Sequence, residues 1–167
     1  MCTVIVDIKP NHPAAPYLGK SAAGGRAVRN TANLLIRNTM TGLHKPPEER
    51  THTETEALHI VIIGIQSANI HREAMEEKAV FSAIRKIKAG ELAGLKAHAF
   101  LKPKLDGFGK RFSYPTAQNW FLNYETLDAI LKHTENAAYY GCTSQVIQQA
   151  IRKTVAARKS YFESIKD

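Results

Sequence analysis

The last quarter of the chain, residues 143–166, constrains the fold most, because its apolar residues recur at helical spacing. They lie three, four or seven positions apart and therefore share one side of an α-helix. Thr143 and Ser144 follow a Gly-Cys turn and offer hydroxyl groups for the N-cap. The sequence predicts an amphipathic helix with one buried stripe. That stripe consists of Ile147, Ile151, Val155, Phe162 and Ile165.

The opposite face of this helix is polar and cationic, and no carboxylate occurs on it before Glu163. Such a face can simply be solvated, since charged runs usually face water. It can also bind nucleic acid, with cations on phosphates and glutamine amides on base edges. Glutamines placed ahead of the cations favour the second interpretation. The residues concerned are Gln145, Gln148, Gln149, Arg152, Lys153, Arg158 and Lys159.

Three colinear blocks resemble one protein family: SQVIQQAIRK followed by ARKSYFESIKD, RAVRNTANLLIRNTMTGLHK nearer the start, and YPTAQNWFLNYETLDAILKHTENAAYYGCTSQ between them. They are similar to the N-terminal recognition segment of the TnpB family. These are RNA-guided DNA endonucleases encoded by insertion sequences and related to type V CRISPR effectors. The resemblance spans most of residues 26–167 and leaves the middle unassigned. None of the three blocks is a catalytic signature.

Length and charge suit a single basic domain. The chain has 167 residues, and 23 Lys and Arg against 15 Asp and Glu give a net charge of +8, which favours anionic partners. The excess of positive charge is concentrated near the start of the chain, because residues 1–47 carry six cations and one acid. Cys2 and Cys142 form no C-x-x-C pair, and the start lacks a secretory leader pattern, so we expect a cytoplasmic protein. The apolar run Ile60–Ile65 is too short to span a membrane.

The expected fold class is mainly α, a bundle of four to six helices with a short N-terminal β-strand. Residues 1–22 are interpreted as that strand, Thr3–Ile8, followed by a proline-rich linker. Residues 23–167 form the helical recognition domain. In the resembled family the first strand belongs to a β-barrel called the wedge, which implies the same role for Thr3–Ile8.

A first helix is predicted from about Arg26 to Met40, after the flexible Gly24-Gly25 pair. Its apolar side consists of Val28, Ala32, Leu35 and Ile36. A second set of residues advances by three or four and shares one flank. This flank can be a solvated surface, but a row of like charges without nearby carboxylates repels itself, which makes a bound anion more plausible here than on a surface of mixed charge. The flank consists of Arg26, Arg29, Asn33 and Arg37.

The spacing of apolar residues in the middle of the chain predicts two further helices. Thr53 and Glu56 have capping-box spacing and open the first of them. The second runs from about His71 to Ala89, and the pattern leaves open whether the two join as one rod. The expected buried residues are Leu58, Val61, Ile62, Ile65, Ala68, Ala74, Ala79, Val80, Ile84 and Ile87.

Residues 100–114 are predicted to be a loop, since prolines and glycines alternate there with aromatic and basic residues. Cations and rings together are typical of sites for unpaired nucleic acid. The alternative, favoured for Phe100 and Phe112, is that the rings anchor the loop to the core. Trp120 is expected in the core, and Asn123 should cap a helix that ends near His133. The cations expected to contact a nucleic-acid backbone are Lys102, Lys104, Lys110 and Arg111.

No catalytic or metal site is predicted, because the sequence has no HExxH motif, P-loop or nucleophile elbow. In the resembled family the catalytic carboxylates belong to a RuvC-like domain downstream. We therefore expect a recognition part, not an enzyme by itself, with no cofactor and with the nuclease half as a further partner.

The resemblance implies binding to a guide-RNA–target-DNA duplex and to the short DNA motif beside the target. The residues expected to contact base edges are Ser144, Gln145 and Gln148. A stand-alone DNA-binding regulator that acts as a homodimer, or a protein-interaction module with an exposed apolar patch, remain alternatives. Phosphate contacts are assigned to Arg26, Arg29, Arg37, Arg152, Lys153, Arg158 and Lys159.

Overall fold

The computed structural model describes residues 9–10 and 12–165, which form a helical bundle. The expected strand Thr3–Ile8 lies outside these residues. Two short 3-10 turns, Pro47–Glu49 and Gly94–Lys96, connect longer elements. Within the described part, no helix is both long and apolar enough to cross a bilayer. The α-helices are α1 (Ala15–Leu43), α2 (His52–Lys88), α3 (Ala97–Gly107), α4 (Tyr124–His133), α5 (Ala137–Tyr140) and α6 (Ser144–Ser164).

One apolar core lies between α1, α2, α4 and α6, with α1 packed on both α2 and α6 and α4 packed on α2. The predicted stripes of the first and last helices supply much of it, and Trp120 packs against its edge. Ile165 is an exception, because it is the C-cap of α6 and 62 % exposed. The largest buried side chains are Val28, Ile36, Val61, Ile65, Leu122, Leu127, Ile130, Leu131 and Ile151.

Helix α1 begins at Ala15, well before the predicted start at Arg26, so residues 15–22 are helical rather than part of a linker. Pro16 stands in the first turn, where its missing N–H costs no hydrogen bond. Gly24 lies inside the helix, and a Cβ built on it would come 2.7 Å from Cys142 Cβ. A Cβ on Gly25 would come 3.1 Å from Val146 Cγ1. The glycine pair therefore lets α1 approach the start of α6 closely.

Helix α2 is one continuous rod, and its capping box is Thr51 with Glu54 rather than Thr53 with Glu56. The Thr51 hydroxyl accepts from the Glu54 N–H at 3.3 Å, and the Glu54 carboxylate accepts from the Thr51 N–H at 2.9 Å. Lys45 also donates to Glu54, at 2.8 Å. The Lys45 ammonium and then the Thr51 N–H lower the pKa of Glu54 from 4.5 to about 2.

The outer face of α2 carries apolar residues that the described part of the chain leaves partly or largely exposed. Ile62, Val80, Ile84 and Ile87 were expected inside but are exposed, whereas Ala79 and Ala83 are buried on the core side. A long helix can carry apolar residues on two sides, and tertiary packing decides which side is covered. We define the outer face by its exposed residues Ile62, Ile63, Ile70, Val80, Phe81, Ile84 and Ile87.

The prediction of a loop over residues 100–114 is wrong for its first half, because residues 97–107 form the helix α3. Pro103 removes one helical hydrogen bond but does not break the helix, which packs against α2. The second half is irregular and held in place by Asn69 of α2. Its side chain donates to the Phe112 carbonyl and accepts from the Phe112 N–H, both at 3.0 Å. Phe112 packs against the core, as expected.

Candidate nucleic-acid interface

A groove of about 570 Å³ runs between α1 and the first half of α6. We call it the α1–α6 groove. Its two walls approach closely because Gly24 and Gly25 present no side chain to Cys142 and Val146. Among the described residues that line it there is no Asp or Glu. The lining consists of Leu18, Ser21, Ala22, Gly25, Arg26, Arg29, Gln145, Val146, Gln149, Ala150 and Lys153.

Three predicted phosphate-binding residues, Arg26, Arg29 and Lys153, converge on this groove from the two helices. All three are exposed, and none forms an ion pair with a carboxylate in the part of the chain that the structure describes. Their charges are therefore not cancelled by any carboxylate among residues 9–10 and 12–165. A cation surrounded by water and other cations attracts an anion from solution.

Glutamine amides also belong to the lining of this groove. Gln145 lines it, whereas Ser144, the first residue of α6, is exposed but is not a lining residue. Gln149, which the sequence placed on the polar face without a base contact of its own, also lines the groove, one helical turn after Gln145. Thr143 is the N-cap, as expected, but its hydroxyl accepts no capping hydrogen bond.

Arg158 and Asn33 bind each other rather than standing free. The Arg158 Nε donates to the Asn33 Oδ1 at 2.9 Å, which links α6 to α1 beside the core. Arg158 is half-buried, because it lies on the core side of α6. This pair supports the packing of the two helices and leaves fewer donors for phosphate.

The remaining predicted residues of α6 lie on its other flank, towards α4. The Arg152 guanidinium stacks over the Tyr124 ring at 4.8 Å from the centroid. Gln148 precedes it by one helical turn and is exposed. Lys159 lines a second pocket with Trp120 and Phe162, and its ammonium lies 3.9 Å from Glu163. The single strip predicted on α6 is thus divided into two flanks.

Arg37 extends the cationic flank of α1 beyond the groove. Its side chain is exposed, and its Nε donates to the Asn38 Oδ1 at 3.3 Å. That bond is to a neutral amide, so the positive charge of Arg37 is retained. Arg26, Arg29 and Arg37 therefore present three charges along one side of α1.

The cations of residues 102–111 lie in a different setting, which we call the α2–α3 surface. Arg111 pairs with Glu73 of α2 at 2.9 Å. The ammonium groups of Lys104 and Lys86 lie 4.1 and 5.1 Å from the centroid of the Phe100 ring. Phe100 is thus a platform for cations of the protein itself. Lys102 and Lys110 are exposed.

The histidines and carboxylates give no metal site among the described residues, where no cluster of three or more His, Cys, Asp or Glu could hold an ion. His71 and His133 are neighbours, with ring centroids 5.1 Å apart. Burial and then the nearby His71 lower the pKa of His133. The Tyr139 hydroxyl donates a hydrogen bond to the Asp128 carboxylate at 3.1 Å.

Comparisons with protein-family models, with characterised proteins and with solved structures each returned no match. The residues of the groove and their geometry therefore carry the functional proposal.

Proposed function

We propose that this chain is a nucleic-acid recognition domain that binds through the α1–α6 groove. The observation that carries the proposal is the convergence of Arg26, Arg29 and Lys153 with Gln145 around a groove whose described lining contains no acid. Cations hold phosphates and set the register, whereas amides can read base edges. Both kinds of group are needed for recognition, and here two helices bring them together.

The resemblance to the TnpB family suggests the natural ligands, a guide-RNA–target-DNA duplex and the short DNA motif next to the target. In this proposal the start of α6, with Ser144, Gln145 and Gln148, contacts the motif. Arg26, Arg29 and Arg37 follow the backbone of the duplex along α1. Bond cleavage would belong to a RuvC-like nuclease part, which acts as a partner of this domain.

A salt titration tests this proposal directly. The chain is titrated against duplex DNA, a structured RNA and an RNA–DNA hybrid at several salt concentrations. For a protein that neutralises phosphates, the logarithm of the binding constant falls linearly with the logarithm of the salt concentration. On B-DNA the slope is about −0.9 for each phosphate contact. We expect a slope steeper than about −2, because at least three free cations surround the groove. The absence of binding to all three ligands at low salt would refute the proposal.

A second candidate function, a protein-interaction module, is favoured by the outer face of α2. Phe81 is 66 % exposed and Ile70 is 57 % exposed, on a face that the described chain does not cover. Exposed apolar surfaces of this kind often mark protein contacts. This candidate predicts no affinity for nucleic acid, so the same titration separates the two functions.

A further inference from the structure

The residues that line the α1–α6 groove are of two chemical kinds, which we call its floor and its rim. The floor is the apolar set, Leu18, Ala22, Gly25, Val146 and Ala150. The rim carries the guanidinium groups of Arg26 and Arg29, the Lys153 ammonium and the amides of Gln145 and Gln149. A surface that contacts only a duplex backbone needs no apolar residues among its cations. This groove has both kinds of residue.

A ligand that fits both parts must combine a flat, weakly polar body with an attached anion. An unpaired nucleotide has this form, because its base can lie on apolar side chains while the flanking phosphates stay at the surface. The edge of a base also carries donors and acceptors that complement glutamine amides. The groove volume of about 570 Å³ lies within the range of small-molecule sites, roughly 300–1,000 Å³.

Resting on the proposed nucleic-acid function, we propose that the α1–α6 groove accommodates one unpaired nucleotide, with the base on its apolar floor and the adjacent phosphates on its cationic rim. Duplex segments on either side would continue along α1 and α6. The site would therefore recognise a strand where its pairing is interrupted.

The experiment compares two pairs of hexanucleotides, and the two members of each pair have equal charge. The DNA pair is oligothymidylate and a strand with the same sugars and phosphates but no bases. The RNA pair is oligouridylate and its base-free counterpart. Stacking of one base contributes about a tenfold gain in affinity or more. We expect the base-containing hexamers to bind about tenfold more tightly, with equal salt slopes for the two members of each pair.

Two neighbouring alanines of α1 provide the matched variants. Ala22 lines the groove, whereas Ala23 is exposed but does not line it. Ala22→Leu should fill the floor and lower the affinity for the base-containing hexamers much more than the affinity for their base-free counterparts, so that the preference for bases is lost. Ala23→Leu should behave as the wild type in all assays. Leu18→Ala, which widens the floor instead, should weaken the preference by a few-fold. Thermal melting verifies that each variant is folded.

The possible outcomes separate this inference from the broader function. If the wild type binds both hexamers equally, or if Ala22→Leu keeps the preference, the nucleotide site is wrong while salt-dependent nucleic-acid binding stands. If neither hexamer, duplex DNA, structured RNA nor the hybrid binds, both proposals fail. A preference for bases in only the DNA pair or only the RNA pair supports the site and identifies which nucleic acid it binds.

Discussion

The α1–α6 groove and the α2–α3 surface carry similar numbers of cations, but their surroundings differ. Arg26, Arg29 and Lys153 line the groove without a described carboxylate among them. On the α2–α3 surface, Arg111 is paired with Glu73 and Lys104 lies over Phe100. A positive side chain attracts a polyanion most strongly when the fold has not already given it a partner. This difference is the reason that we propose α1 and α6, rather than the α2–α3 surface, as the nucleic-acid interface.

The largest effect should come from removing two groove charges at once. Arg26→Gln with Arg29→Gln should lower the affinity for duplex DNA by at least about tenfold, since each guanidinium would lose a charged hydrogen bond. The salt slope should decrease by about 2. Anisotropy titrations at several salt concentrations measure both quantities.

The matched control removes two charges from the other region. Lys104→Gln with Arg111→Gln has the same net charge as the groove variant, so non-specific attraction falls equally in both. Its slope should change by less than half as much. Equal effects of the two double variants would show that only total charge matters and would eliminate the distinction between the regions.

The next largest effect tests the close approach that forms the groove. Gly24→Ala places a Cβ 2.7 Å from Cys142 Cβ, so the backbones must separate. We expect the free energy of unfolding to fall by about 1–3 kcal/mol, as in other overpacked sites, and the groove affinity to fall with it.

Gly19 of the same helix provides the control, because a Cβ there meets nothing within 4 Å. Gly19→Ala should stabilise the protein by roughly 0.5–1 kcal/mol through helix propensity. Urea denaturation compares the two variants. If Gly24→Ala were as stable as Gly19→Ala, the two helices would not depend on that contact.

A smaller effect is expected on the flank of α6 that faces α4. Arg152→Ala should weaken binding to all sequences by a similar few-fold factor and reduce the salt slope by about 1. Tyr124→Phe keeps the ring under the guanidinium and should change neither quantity. An unchanged slope in Arg152→Ala would confine the interface to the α1 side of α6.

The smallest effect distinguishes two adjacent residues of the α2–α3 surface. Arg111→Gln should leave the salt slope almost unchanged and cost less than about 1 kcal/mol of stability, because its ion pair is largely exposed. Lys110→Gln removes the same charge from a residue that forms no ion pair with a described carboxylate. It should reduce the slope more than Arg111→Gln does. The reverse order would contradict the role assigned to pairing.

Local sequence patterns predicted much of the helical framework. Asn123 caps α4, and its side-chain oxygen accepts from the Thr126 N–H at 2.9 Å. Val28, Ile36, Ile147 and Ile151 are buried as their spacing indicated. These features depend on residues within one or two turns of each other, so the sequence alone contains the necessary information.

Boundaries and uncovered faces could not be predicted in the same way. The Gly24-Gly25 pair has the composition of a helix breaker, but in the fold its missing side chains make room for Cys142 and Val146. Likewise, the apolar residues Val80 and Ile84 follow helical spacing and are nevertheless exposed. Whether an apolar side is buried depends on a second element, and in this fold α1 packs against α6 from the other end of the sequence.

The amphipathic helices, the cationic flanks of α1 and α6 and the scarcity of acids on those flanks follow from residue order alone. Which cations have an acidic neighbour follows from the packing of the helices. The fold pairs Arg111 with Glu73, hydrogen-bonds Arg158 to the neutral Asn33, and brings Arg26, Arg29 and Lys153 to one groove. The physical reason is that charge neutralisation acts over a few ångströms between elements far apart along the chain, and spacing within one helix contains no information about such neighbours.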